Sequence, residues 1–394
     1  MQLPFVHNLE DVEQVIPTPL RVRASSDFTG RGVTIAIVDS GFYPHPDLTQ
    51  PTNRVRYHVD ARREPPHEGL RFRVPHATSW HGTMVAGVCA GNGFMSFYRY
   101  TSLAPDAQMV LVKTGRVGTH HITEADIARA LRWVLDNASR FDIRVVNVSV
   151  GGDVPSTGKM TALDRLVEAL VEAGLVVVCA IGNSAAHKVI PPASAPSAIT
   201  VGGLDDRNTL DRSQWRMYRS NYGRGARGVP KPELIAPAAW IAAPMLPNTR
   251  THREAQFLWR LERASDEELR QILQTREAHQ RISVETMSKP IPEIRRAVRQ
   301  RINDEKFIHP HYQHVDGTSF AAAIVSSVVA QMLEANPELT PAEVKQILMQ
   351  TAEPLEGVPP ERQGAGVIHA GAAVAQARAL RPTVPVPEPR KRRP

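Results

Sequence analysis

The sequence predicts an α/β protein: a three-layer, doubly wound and mainly parallel sheet with helices on both faces. Two observations predict it. Short, almost unbroken Val/Ile runs recur along the chain, which is how strands buried on both faces read. Segments of helical period separate these runs, as crossover connections between parallel strands require.

The elements follow in order. Val33–Val38 (VTIAIV) is the first strand, bounded by Gly32 before and Asp39-Ser40-Gly41 after. Met109–Lys113 (MVLVK) is the second. Thr123 then caps a helix, with Asp126 three positions on and Ile127, Ala130, Leu131, Val134 and Leu135 as its apolar stripe. Val145–Val150 (VVNVSV) is a third strand, followed by a helix over Ala162–Ala173. Leu175–Ala180 is the fourth strand and Ala198–Val201 the fifth. From Asn248 the composition changes to charge with few β-branched runs. Ser265 and Glu268 form a capping box ahead of Leu269, Ile272 and Leu273, and a second helix from about Pro292 carries Ile294, Val298 and Ile302. The expected organisation is an N-terminal extension and arm over 1–30, a core over 31–247, a charged helical insertion over 248–313, the rest of the core over 314–380, and an unstructured Pro/Arg-rich tail over 381–394.

With 394 residues, 42% apolar and 22% charged, the chain has enough apolar material for a large core, which excludes a disordered, collagenous or disulfide-stapled protein. No run of about 18 apolar residues is expected to span a membrane. Met1–Gln14 holds Glu10, Asp11 and Glu13 and does not read as a secretory signal. The net charge of +7 is almost wholly arginine, since only eight of the 47 basic residues are Lys. Its one dense cluster is Arg390, Lys391 and Arg392, and without a nucleic-acid motif beside it nucleic acid is disfavoured as a partner. Cys89 and Cys179 sit in apolar contexts and read as reduced, buried thiols of a cytosolic protein. A phosphate-binding loop is nearly spelled by Gly151–Lys159, but Gly152 to Gly158 is one residue too long and Met160 stands where a Mg²⁺-holding hydroxyl belongs.

Three segments carry chemistry. Asp39 ends the first strand in VDSG, His81 opens the small-residue helix HGTMVAG, and Ser319 opens the long apolar helix in DGTSFAAAIV. Strand carboxyl ends and helix N-termini meet at the ligand crevice of an open α/β sheet. Each residue alone fits a turn or a cap. Together an Asp, a His and a Ser are what nucleophilic acyl transfer needs: the histidine takes the weakly nucleophilic hydroxyl's proton and the carboxylate fixes the histidine.

VDSGFYPHPDL, HGTMVAG and GTSFAAAIV closely resemble the three motif segments of the subtilisin-like serine proteases, in that family's order. VVVCAIGN, VVNVSVGG and KPELIAP agree, and the resemblance covers roughly 15–247 and 314–353. It implies a peptide-cleaving serine endopeptidase in which Asp39 orients His81, His81 is general base and acid, Ser319 is the nucleophile and Asn183 holds the oxyanion. It further implies that Ser149, Val150 and Gly151 on one side, and about Gly118–His121 on the other, sandwich a polypeptide substrate as an added strand. Ala180 and Gly182 would then help line the pocket for the residue before the cut.

The departures shape the expectations. Ala323 replaces the family's proline after the nucleophile, and Met84 replaces a non-catalytic histidine. Asn92–Leu103 does not read as the calcium loop, and Asp47 resembles one calcium ligand without its partners, so no metal and no cofactor are expected. The first strand begins too early for a folded pro-domain, leaving Met1–Gln14 as at most a short inhibitory strap and implying a cytoplasmic enzyme. The 248–313 insertion lies between IAAPML, read as the last core strand, and Ser319, and is then a candidate lid, or a docking site for a regulatory protein partner. His309, His311 and His314 lack a Cys or carboxylate set at ligand spacing and read as a polar loop leading to the active site rather than zinc ligands. The rival from another class is a catalytically quiet subtilisin fold used as a binding scaffold.

Overall fold

The computed structural model describes residues 15–63, 66–68, 75–76, 78–115 and 121–381. Gly118 and the tail beyond Arg381 therefore lie outside the described residues, as does Met1–Gln14. Seven strands form the parallel sheet: β1 (Thr34–Asp39), β2 (Val55–Asp60), β3 (Gln108–Lys113), β4 (Ile143–Val148), β5 (Val176–Ala180), β6 (Ile199–Asp205) and β7 (Leu234–Pro237). Their order is β7-β6-β5-β4-β1-β3-β2, with short antiparallel pieces at His67–Glu68 beside β2 and Arg216–Met217 beside β6. The chain thus grows to one side of β1 and then to the other, and the carboxyl ends of β1 and β4 flank the point of reversal.

One face is covered by α1 (Trp80–Ala90), and the opposite face by α2 (Glu124–Phe141) and α3 (Ala162–Glu172), so the apolar residues of the sheet divide between two clusters. Thr123 caps α2 by accepting the Asp126 N–H, as the spacing predicts, and Thr161 forms a full capping box with Asp164 at the start of α3. The insertion holds α4 (Arg250–Arg263), α5 (Asp266–Leu273), α6 (Arg276–Arg281) and α7 (Ile291–Asp304). The predicted Ser265–Glu268 box opens α5, and Ile294, Val298 and Ile302 are the buried residues of α7. Phe257, Leu258, Leu261 and these three join the same apolar cluster as the main core, so the insertion is packed onto the fold.

Two segments differ from the sequence reading. Ile241–Pro244 (β8), read as the last core strand, leaves the main sheet, whose edge is β7. It pairs instead with β10 (Tyr312–Val315), which pairs with β9 (Phe307–His309) in a separate antiparallel sheet. The HPHYQH segment is therefore a β-hairpin anchored by the fully buried Tyr312, not a polar loop.

α8 (Thr318–Ala335) runs under β4, β5 and β6 and is buried along almost its whole length. By length and composition it is apolar enough to cross a membrane, but 94% of its apolar window is buried inside the protein. Burying each of its Val or Ile side chains contributes about 1.5–3 kcal/mol, so this helix anchors whatever its N-terminus carries. Here that is Ser319. Ahead of the C-terminal end, α9 (Pro341–Thr351) and α10 (Ala370–Ala379) pack against each other, and α10 also packs against α8.

Candidate active site

β1 delivers Asp39. In the register Asp39 stands opposite Lys113 of β3 and Val38 opposite Val148 of β4, which places the carboxylate at the reversal point of the sheet. The side chain is fully buried. Its Oδ1 accepts the Ser40 N–H at 2.6 Å and the Ser40 hydroxyl at 3.1 Å, and lies 2.7 Å from His81 Nδ1.

His81 is the second residue of α1. A Cβ on Gly82 would fall 2.2 Å from the Gly41 carbonyl oxygen and 3.1 Å from Asp39 Cβ. Only glycine lets α1 come this close to β1, so the Gly of HGT is a condition of the Asp39–His81 pair. Burial works to lower the His81 pKa, but the charge and hydrogen bond of Asp39 outweigh it and hold the imidazole above its ordinary value.

Ser319 is the second residue of α8, following Gly317 at the cap, and is 8% exposed. The positive end of the helix dipole therefore lies at this serine. Its hydroxyl makes no hydrogen bond to His81 among the described residues. The two come together through the His81 and Phe320 rings, whose centroids are 5.8 Å apart, and through Ser149, which lines the cleft with His81 and donates its hydroxyl to the Ser319 carbonyl oxygen at 3.2 Å. Asn183 sits beside them. Its Oδ1 accepts the Thr318 N–H at 2.8 Å, which assigns the amide orientation and leaves Nδ2 as the donor facing away from that bond.

The residues that the resemblance places beside a substrate divide. Ser149, Val150 and Gly151 line a cleft of about 360 Å³ together with Asp39, Trp80 and His81, while Asp153 and His121 stand at its rim, 3.6 Å apart. Gly182 joins the turn that leads to Ser319 by donating its N–H to Thr318 Oγ1 at 3.1 Å. Ala180 ends β5, half-buried, in register with Val201.

Three supporting residues escape a reading by motif. Thr318 ties Gly182 and Asn183 to α8. Asn147, fully buried in β4, donates to Ser149 Oγ at 2.9 Å and accepts the Ser326 hydroxyl at 3.0 Å, joining strand to helix beneath the site. A polar residue inside an apolar strand was its one visible signal. Asn221 accepts from Ser184 N–H at 3.0 Å and Ser184 Oγ at 2.7 Å and donates its own N–H to the Gly182 carbonyl at 3.0 Å, while its amide leaves no room for a Cβ on Gly182, whose φ is +104°.

Asp47, the one residue resembling a calcium ligand, has its carboxylate occupied by protein. Met95 N–H donates to Oδ1 at 3.0 Å and the Tyr312 hydroxyl donates to Oδ2. Among the described residues no group of three or more His, Cys, Asp or Glu is arranged to hold a metal ion.

The family model described as the Subtilase family matches residues 30–366. Serine protease AprX of Bacillus subtilis (strain 168) is 29% identical over 359 residues, covering 89% of this chain and 67% of that protein. Subtilisin Savinase of Lederbergia lenta is 32% identical over 215 residues, covering 53% of this chain and 65% of that protein. Among solved structures, fervidolysin from Fervidobacterium pennivorans, a keratinolytic enzyme related to subtilisin, superposes with a TM-score of 0.59 at 18% identity, covering 91% of this chain and 45% of its own. The shared part is the subtilisin-like α/β fold. The chain spans about two thirds of the two curated relatives and under half of fervidolysin.

Proposed function

The chain belongs to the subtilase family of serine proteases, and from that premise we propose that it is an endopeptidase working through Asp39, His81 and Ser319. The observation that carries this reading is the 2.7 Å pairing of Asp39 Oδ1 with His81 Nδ1 at the mouth of a cleft. With Nδ1 bound to the carboxylate, Nε2 is the free base. As Ser319 Oγ bonds to the peptide carbonyl carbon, His81 Nε2 takes the hydroxyl proton. The oxyanion accepts from Asn183 Nδ2 and from the Ser319 N–H, one of the unpaired donors at the start of α8. His81 then gives its proton to the departing amine, the C–N bond breaks, and an acyl ester remains on Ser319. Water, deprotonated by the same imidazole, opens the ester and regenerates the hydroxyl.

The substrate lies along Ser149–Gly151 as an added strand, its main chain supplying affinity and its side chains specificity. The insertion over 248–313 serves as a lid or as the docking site of a regulatory partner; the packing of its β9–β10 hairpin beside α1, with Gln313 Nε2 4.0 Å from Met84 Sδ, supports this. The site of action is the cytoplasm, a reading supported by two free, fully buried thiols, Cys89 and Cys179, whose burial pushes both pKa values up to about 12.

Labelling with a fluorophosphonate tests the reaction. Wild type should carry the adduct on Ser319, and Ser319→Ala should carry none. An unlabelled wild-type chain that also fails to cleave peptides would leave the scaffold reading in its place. Deleting 250–305 tests the lid: faster cleavage of a folded protein relative to a short peptide is expected, and unchanged activity on both would sink it.

A further inference from the structure

Three residues before Ser319, one carboxylate receives both the core and the insertion. Asp316 Oδ1 accepts the Trp240 N–H at 3.0 Å, and Asp316 Oδ2 pairs with Lys306 Nζ at 2.6 Å. The next residue adds a third tie, Gly317 N–H to the Ala238 carbonyl at 2.7 Å. The turn that leads into the nucleophile helix is thus stitched twice to the Ala238–Trp240 loop and once to Lys306.

Each anchor is itself held. The Ala239 and Trp240 carbonyls accept the Arg21 guanidinium at 2.7 and 2.8 Å, and Arg21 pairs with Asp206 through two bonds of 2.7 and 2.6 Å, both side chains being fully buried. Trp240 takes a φ of +61°, a conformation that a bulky residue adopts only where its surroundings enforce it. Its indole stacks on His314 at 4.4 Å between centroids. Lys306 follows the last helix of the insertion at a φ of +59°, and its carbonyl accepts the His314 N–H at 2.9 Å. The loop below Asp316 is therefore rigidly fixed, whereas the lysine above it comes with the insertion.

We propose that Asp316 is a positioning residue for Ser319, and that Lys306 makes that positioning depend on the insertion being docked. The inference rests on Ser319 being the nucleophile. A half-exposed ion pair contributes little to folding, and Lys306 and Asp316 are 48% and 28% exposed at the side chain. Its effect belongs instead to the aim of the turn, where a displacement of the order of 1 Å costs about a hundredfold in rate. With Lys306 in place the carboxylate is charge-neutralised and held toward Trp240. Without it, Asp316 keeps His314 and Arg219 as its electrostatic neighbours, and the turn gains freedom.

The test uses the full chain and three readouts: kcat and KM on a short peptide, the rate of inactivation by a fluorophosphonate, and the thermal midpoint. Asp316→Ala should lower kcat and the inactivation rate by about ten- to a hundredfold, with KM and the midpoint little changed. Lys306→Met should move both rates the same way by several-fold, Lys306→Arg should keep most of the wild-type rates, and the double variant should match Asp316→Ala alone because both residues act through one contact. Lys289→Met, which breaks the exposed Lys289–Glu285 pair of the insertion, should change nothing. Unchanged rates in Lys306→Met, losses that add in the double variant, or losses that follow the thermal midpoint would each overturn the proposal while leaving the nucleophile assignment intact. A wild-type chain that takes no label at Ser319 would overturn both.

Discussion

Thr318 donates its backbone N–H to Asn183 Oδ1 at 2.8 Å, so the residue beside Ser319 sets which end of the asparagine would face the reacting carbonyl in the proposed mechanism. In that mechanism Asn183 thus has two separable duties, accepting through Oδ1 and donating through Nδ2. Asn183→Ala should lower kcat by about 10²–10³ with KM nearly unchanged, the factor seen when subtilisin loses its oxyanion-hole asparagine. Asn183→Asp keeps the acceptor for Thr318 but loses the donor, and should be at least as damaging. Steady-state kinetics on one peptide decides it; an active Asp variant would show that the amide donor is not needed.

The Asp39–His81 pair predicts the pH profile. His81 must be neutral to act as base, and Asp39 holds its pKa above the ordinary imidazole value. The acid limb of kcat/KM should therefore lie at higher pH than a free imidazole would give. The same shift has the opposite sign for folding. A raised pKa contributes stability that is complete below the unfolded-state value and is lost as pH rises through the folded one. Asp39→Asn should move the acid limb to lower pH and cut kcat by about 10⁴. A limb that stays in place in that variant would show that Asp39 does not set it.

The residues proposed for chemistry were legible because each sits at a strand or helix end inside a short, small-residue segment, where backbone geometry leaves few alternatives. What was not legible acts through contacts distant in sequence. Asn147 matters because Ser326 of α8 lies under it, and Asn221 because Gly182 has no Cβ; neither relation leaves a local pattern. The strand Val55–Asp60 was missed because only its last three residues are buried and Arg56 interrupts the apolar run. Within the predicted helical insertion α4 has no local mark of its own, because Ala255, Phe257, Leu258 and Leu261 alternate with arginine and glutamate and no capping box announces its start. The hairpin at HPHYQH hid behind its histidines, since its strand character depends on Tyr312 finding Asp47.

That last contact gives a stability prediction. Tyr312 and Asp47 are both buried, and the phenol is the donor to Oδ2 of the carboxylate. Removing the hydroxyl leaves a buried carboxyl oxygen without its partner, at a cost of about 1–3 kcal/mol. Tyr312→Phe should lower the unfolding free energy by that amount in urea titration. Tyr100 offers the contrast: its ring lies 5.2 Å from that of Tyr312, but its hydroxyl is buried with no partner among the described residues. Tyr100→Phe should be near neutral or mildly stabilising. Equal losses in both variants would mean that ring packing, not the hydroxyl, holds the hairpin.

Four histidines around that hairpin predict how the protein fails in acid. His45 Nδ1 accepts the Asp47 N–H at 3.1 Å, His309 Nδ1 accepts the His311 N–H at 3.3 Å, and His252 Nδ1 accepts the Asn248 N–H at 3.2 Å. With Nδ1 of His252 an acceptor, its Nε2 carries the proton and donates to His311 Nδ1 at 2.8 Å. Every ring therefore uses a lone pair that protonation would remove. Burial lowers all four pKa values, to about 4 for His252 and His309, with the neighbouring histidines and Arg253, Arg263 and Arg99 adding to the effect on those two and Asp47 opposing it at His45 and His311. A folded pKa below the ordinary value of about 6.5 means that the unfolded chain binds protons first. Stability is then complete above that pH and is lost as pH falls toward about 4. The thermal midpoint of wild type should drop steeply across this window. His252→Gln, which keeps an acceptor and a donor but cannot titrate there, should lower the slope even if it lowers the midpoint at neutral pH. Parallel profiles for the two proteins would place the acid sensitivity elsewhere in the fold.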